Sequence, residues 1–360
     1  QIEDPSLAKG IMKREIVRVI TPATYLGENS KNSSYFCSIN ETGQWFGFSL
    51  IDVSTGEFKT TEFSNFEELE REISLIKPKE ILVEKSTFAK FKKAFEEFEK
   101  TFKPLVSTLE AWRFDHALTY PTLVNHFKVH SLDGFGLKGM VAAINSAGSL
   151  VAYLKDDLSL SLEGISSIQP YSTKEYMMID KITERNLELT ESIHDLSLNN
   201  TLLELLDKTE TPMGSRLMRS WIKQPLLNLN QITARQNGIE ALLKETGELA
   251  LLLGRIRDLE RLTMRIAADV AGPRDLVALK YSLRPLPGIK SRLIESEASI
   301  LSLLAESIVL QEDLVKKLDD ALEETPPLRV SDGGLFKSGY NKALDELKLL
   351  SQDSKTWMAN

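Results

Sequence analysis

The chain has 360 residues, 42% hydrophobic and 27% charged, with a formal net charge of −8 and one cysteine, Cys37. That length supports two or three globular domains with ample core, and a lone cysteine excludes an internal disulfide and fits a reducing cytoplasm. No run is long and apolar enough for a membrane span, and the acidic balance excludes the broad basic field of a free-standing nucleic-acid binder.

The first residues, QIEDPSLAKGIMKRE, are charged and read as the middle of a longer chain. Leu7 and Ile11 have helical spacing, residues 15–20 look strand-like, and Thr21-Pro22 ends the run, so 1–23 reads as a linker. Lys13, Arg14 and Arg18 are candidate phosphate contacts, against the plainer reading of solvated linker charge. Three strands follow at 35–39, 45–53 and 57–63, separated by the turns Glu41-Thr42-Gly43 and Ser54-Thr55-Gly56, which is the pattern of an antiparallel meander. An amphipathic helix at 66–76 stops at Lys77-Pro78, a short apolar strand at 81–83 should lie parallel to the first, and 88–98 is a second helix. Meander plus βα units describe an RNase H-like α/β domain over 24–130.

That fold raises a metal-dependent nuclease as an alternative, with Asp52, Glu84 and Asp115 as the candidate carboxylates. Asp52 also suits a turn cap, Glu84 sits where a strand becomes a helix, and the first strand carries no acid, all of which weigh against metal chemistry. His116, His126 and His130 fall at 114–131; the i, i+4 pair His126 and His130 has metal-ligand spacing, but no third ligand follows and surface histidines are the plainer reading. Gly134, Gly136 and Gly139 lack the preceding strand and the Lys-Ser/Thr of a phosphate loop, so they are taken as an interdomain joint ahead of a helix at 141–155.

From 131 to 334 the pattern is mainly helical. A strand is expected at 176–179, with Asn186 and Glu188 as hydrogen-bonding residues of a packed stretch. Thr211 is a good N-cap and Pro212 suits the first helical position. Met213, Leu217, Met218, Trp221 and Ile222 form an apolar face, Gly214 permits close approach, and Gln224-Pro225 ends the helix. Arg216, Arg219 and Lys223 make a basic stripe that is either solvated or phosphate-binding. Arg255, Arg257, Arg261 and Arg265, mixed with Asp258 and Glu260, suggest ion pairs within the bundle. One long helix is expected over 302–324 and a final one over 339–360, within a last segment 335–360.

Three blocks carry a resemblance. TPMGSRLMRSWIKQPLLNLNQITARQNGIEALL, ITERNLELTES and DLERLTMRIAADVAGPRDLVAL resemble the helical core of the MutS family of DNA mismatch repair proteins. Thr211, Pro212, Met213, Gly214, Trp221 and Pro225 are its signature positions here. DGFGL and GYNKALDELKLLSQDSKTW also resemble blocks of that family, the second its lever helix. The resemblance implies a connector domain (24–130), a core domain (131–334) and the start of a lever (335–360). It also implies that the mismatch-reading domain with its Phe-x-Glu, the DNA clamp and the ATPase lie outside these residues. G-x-x-x-x-G-K-[ST] is absent from them, so neither catalytic nor metal residues are expected. In the full-length family member the implied cofactors are ATP and Mg, and the implied partners are mismatched duplex DNA, a second copy, and MutL docking on the connector. With the returning lever missing, Leu347, Leu350 or Trp357 would be expected to pack on a neighbouring copy. A relative serving recombination is disfavoured, because the linker at 13–24 suits a preceding mismatch-reading domain.

Overall fold

The computed structural model describes residues 18–25, 32–243 and 245–359, with side chains up to 350. Lys13, Arg14 and Trp357 therefore lie outside the described side chains. Two compact units are present: one takes the described residues up to 208 with 215–227 and 263–269, the other 209–214, 228–262 and 270–359.

The first unit is built on a mixed sheet. Strands β1 (Phe36–Thr42), β2 (Trp45–Asp52) and β3 (Glu57–Phe63) form the expected meander; α1 (Phe66–Ile76) then leads to β4 (Glu80–Glu84). Helices α2 (Lys85–Lys90) and α3 (Lys92–Thr101) precede β5 (Leu105–Leu109), a strand with no sequence signal of its own. The order is β5-β4-β1-β2-β3-β6, where β6 is the dipeptide Gln169–Pro170. β4 runs parallel to β1 and β2 antiparallel to its neighbours, which is RNase H-like topology.

Alternation along each strand supplies two faces. Cys37, Ile39, Phe48, Leu50, Ile81 and Val83 pack with α1 and α3. Phe36, Ile51, Phe58 and Leu82 pack with Leu123 of α4 (His116–Phe127) and Leu150 of α5 (Val141–Ala152). The region 131–155, read as an interdomain joint and core helix, thus completes the α/β layers instead. Its Ala, Ser and Gly residues let α5 lie very close to the sheet: Thr60 Oγ1 and Ser49 Oγ lie 3.2 and 3.4 Å from the Ala143 carbonyl, and Ser49 Oγ also hydrogen-bonds Ser146 Oγ. A Cβ on Gly47 would come within 1.9 Å of the Ala142 carbonyl oxygen.

Beyond the sheet come α6 (Lys181–Asn186), α7 (Leu202–Leu206) and α8 (Pro212–Lys223). The expected strand at 176–179 is reduced to a bridge of Tyr176 with Leu226. Residues 18–20 form no strand; Val19 N–H donates to the Leu158 carbonyl instead. The single helix expected at 88–98 divides around Phe91, whose ring stacks on Phe66 with centroids 3.6 Å apart.

The second unit is helical: α9 (Leu229–Leu242), α10 (Thr246–Leu253), α11 (Leu259–Ala267, ending in the first unit), α12 (Pro273–Leu283) and α13 (Leu286–Ile294). There follow α14 (Ser299–Ser307), α15 (Glu312–Ala321) and α16 (Lys342–Ala359). The long helix expected over 302–324 is broken, with Ile308 extended at ψ 106. The β-branched pair Ile308-Val309 is a weak helix former, and Glu312 and Asp313 favour a fresh N-terminus. Leu249, Ile256, Ile289, Leu293 and Leu301 form this unit's main core.

The contact at Gly47 is backbone against backbone, so no rotamer change relieves it. Gly47→Ala is expected to cost about 3 kcal/mol in a urea melt, the upper end for overpacking; a cost below about 0.5 kcal/mol would contradict the close α5 packing.

Candidate functional site

Helix α8 begins as its sequence dictates. The Gly214 N–H donates to Thr211 Oγ1 at 3.0 Å, the N-cap bond that satisfies a first-turn donor. A Cβ at Gly214 would lie 3.1 Å from Thr209 Cβ and Thr211 Oγ1, so the close approach is from the preceding turn. Met213 joins the second unit's core, while Met218 and Ile222 pack with Leu189 and Leu203 in the first. Leu217 and Trp221, expected on the buried face, are 52% and 36% exposed, because the helix buries a narrower stripe than its apolar count suggests. The Pro225 carbonyl accepts from the Met177 N–H at 2.8 Å.

The basic stripe is neither fully solvated nor free for phosphate. Lys223 Nζ lies 3.2 Å from Glu184 Oε1 and donates at 2.9 Å to the Leu75 carbonyl in the last turn of α1. Helix ends leave carbonyls without intrahelical partners and favour cations, so Lys223 supplies what α1 lacks there. Beside it, Lys77, the left-handed C-cap of α1, lies 2.6 Å from Glu191. Lys181 reaches the other flank, 3.2 Å from Thr101 Oγ1 of α3.

Lys77 thus pairs with Glu191 and Lys223 with Glu184, and the charges of Glu191, Asp207 and Glu184 all act on Arg219. Burial pushes the Lys223 ammonium down from its usual range, against the pull of Glu184; burial also lowers Arg219, opposed by Glu191, Asp207 and Glu184. Thr190 donates to Glu184 at 3.3 Å and Ser215 to Asp207. A charge-balanced, hydrogen-bonded cluster of this kind holds geometry.

The other candidates are engaged locally. Asp52, buried, accepts from the N–H groups of Ser34 and Ser54 at 2.9 Å, the turn-cap role. Glu84 and Asp115 occupy the N-cap positions of α2 and α4. Helix α4 ends at Lys128 in the left-handed region, so His130 lies past it and the i, i+4 spacing does not pair it with His126. His126 bonds the Ile165 carbonyl, and burial lowers its pKa to about 4. Among the described residues no group of three or more His, Cys, Asp or Glu is placed to hold a metal. Arg18 donates to the Thr24 carbonyl at 3.2 Å. Glu188 accepts from the Ile193 N–H at 2.8 Å, whereas Asn186 is exposed. Arg261 pairs with Asp258 at 3.7 Å.

A family model for MutS domain II matches residues 34–166, and one for MutS domain III matches residues 182–355. The first match extends through α5, beyond the boundary expected at 130. The DNA mismatch repair protein MutS of Protochlamydia amoebophila is 44% identical over 365 residues, across all of this chain and 42% of the relative. Those of Lachnoclostridium phytofermentans and Symbiobacterium thermophilum are 37% and 36% identical across the whole chain and 39% and 42% of their own lengths. The chain therefore spans about two fifths of these curated relatives.

Removing one partner from a buried ion pair leaves the other uncompensated. Lys223→Met is expected to destabilise the chain by about 3–5 kcal/mol, and adding Glu184→Gln should recover at least about 1 kcal/mol in a double-mutant cycle. Additive losses in urea melts would show that the two side chains are not coupled.

Proposed function

Since this chain belongs to the MutS family of DNA mismatch repair proteins, we propose that it serves as a relay between the parts of a larger repair protein that bind DNA and hydrolyse nucleotide. In this reading the α/β domain connects to a mismatch-binding domain and offers a docking face for MutL. The helical region carries conformational change between an ATPase and a DNA clamp. ATP, Mg, mismatched duplex DNA and a second copy act on the full-length protein, in the cytoplasm, and no bond is made or broken by the residues described here.

One contact carries the proposal: Lys223, at the end of α8, donates to the last-turn carbonyl of α1. A relay needs packed elements with few alternative arrangements, so that displacement of one is felt by the next. The lysine contact supplies such a connection from the signature helix of the family to the sheet domain.

The test separates transmission from binding. The Lys77–Glu191 pair is partly exposed, with side chains 25% and 37% accessible, so its loss leaves the fold intact. In the full-length protein, Glu191→Gln should lower mismatch stimulation of the ATPase about fivefold, while basal turnover and mismatch affinity stay within about twofold. Unchanged stimulation, or loss only of DNA affinity, would count against a relay at this joint.

A further inference from the structure

Lys280, on α12, is completely buried, although the second unit is otherwise an ordinary helical bundle. Its ammonium lies 3.3 Å from Asp319 of α15 and 3.5 Å from Glu324 just beyond that helix, yet makes no well-directed hydrogen bond with either. The surroundings are strongly polar. Arg284 also reaches Asp319, at 2.5 Å, Tyr281 donates to Glu324, and the Tyr281 ring lies 5.2 Å from the ammonium. Partial burial raises the Asp319 carboxyl, but Arg284 and Lys280 outweigh it, so both acids are held below their usual range, Glu324 chiefly by Tyr281 and Lys280.

A buried charge is costly unless it is paired, and here the pairing draws two acids onto α12. The two acids bracket the segment that turns back after α15. There the Glu323 N–H donates to the Leu335 carbonyl and the Lys337 N–H to the Ala321 carbonyl, both at 2.9–3.0 Å, around a bridge between Leu322 and Phe336. Lys337 Nζ caps the Asp319 carbonyl at 2.6 Å. Lys348 of α16 donates to the Phe336 carbonyl, and Phe336 stacks on Tyr340 just ahead of that helix.

We infer that Lys280 is a positioning residue for the base of α16: by drawing Asp319 and Glu324 onto α12, it holds the 322–336 bridge on which the last helix is seated. The inference is independent of the relay proposed above, and it concerns contacts within one unit.

Amide hydrogen exchange on the 360-residue chain reads the bridge directly. Lys280→Met keeps the apolar stem and removes the charge. The Glu323 and Lys337 amides should exchange about tenfold faster, with the Leu301 amide unchanged. Because a variant at a fully buried site can fail to fold, Glu324→Gln, on a half-exposed side chain, is the second arm, with about threefold faster exchange expected at the same two amides. Lys280→Arg, which keeps the charge, should restore protection relative to Lys280→Met. Unchanged Glu323 and Lys337 exchange in Glu324→Gln would overturn the inference, as would equal acceleration of the Leu301 amide.

Discussion

A single ammonium group ties α1, which packs on the sheet, to α6 and the end of α8. Lys223 satisfies a carbonyl that α1 cannot bond within itself, and it neutralises Glu184 in the same place. The partly buried carbonyl gains a donor there, and the buried cation gains an anion. The cluster around it, from Lys77 to Asp207, is what one expects where two elements must keep one relative placement without a large apolar interface. Directional, mutually dependent bonds specify position more sharply than apolar contact, which tolerates sliding.

The sheet domain is suited to be one side of such a joint. Both its faces are covered, by α1 and α3 on one side and by α4 and α5 on the other. The small residues of α5 bring backbone against backbone at Gly47, leaving little room for internal adjustment. A body packed this closely is stiff. Of the acids that this topology would offer a metal, Asp52 caps a turn and Asp115 caps the start of α4, while Glu84 sits at the N-cap position of α2 without a capping bond.

Much of the fold was readable in advance, for local reasons. The meander, α1 and the parallel β4 follow from alternation, from turn glycines and from Lys77-Pro78; α8 follows from its cap and its prolines. β5 carries little sequence signal, because Leu105–Leu109 alternates weakly and is half exposed. The break at Ile308 carries neither proline nor glycine. For α5, buried almost all round, spacing alone does not say which neighbour it faces. The joint itself was invisible: Lys77 and Glu191 are 114 residues apart, and Lys223 and Leu75 are 148 apart. Spacing along one helix made Arg216, Arg219 and Lys223 look like a surface stripe, and only the arrival of Glu184 and Glu191 from another segment turns two of them inward. The family resemblance, by contrast, rested on ordered blocks and did not depend on knowing these contacts.

Native-state hydrogen exchange across a urea series tests most directly whether the joint makes one mechanical body of α1 and the end of α8. The Lys77 amide, bonded to the Ile73 carbonyl, and the Gln224 amide, bonded to the Ser220 carbonyl, report the two sides. If the account is right, the two amides share one opening free energy and one denaturant slope, merging below the global transition. If Gln224 opens at low denaturant while Lys77 stays protected, the helix moves independently of the sheet domain and the coupling does not exist.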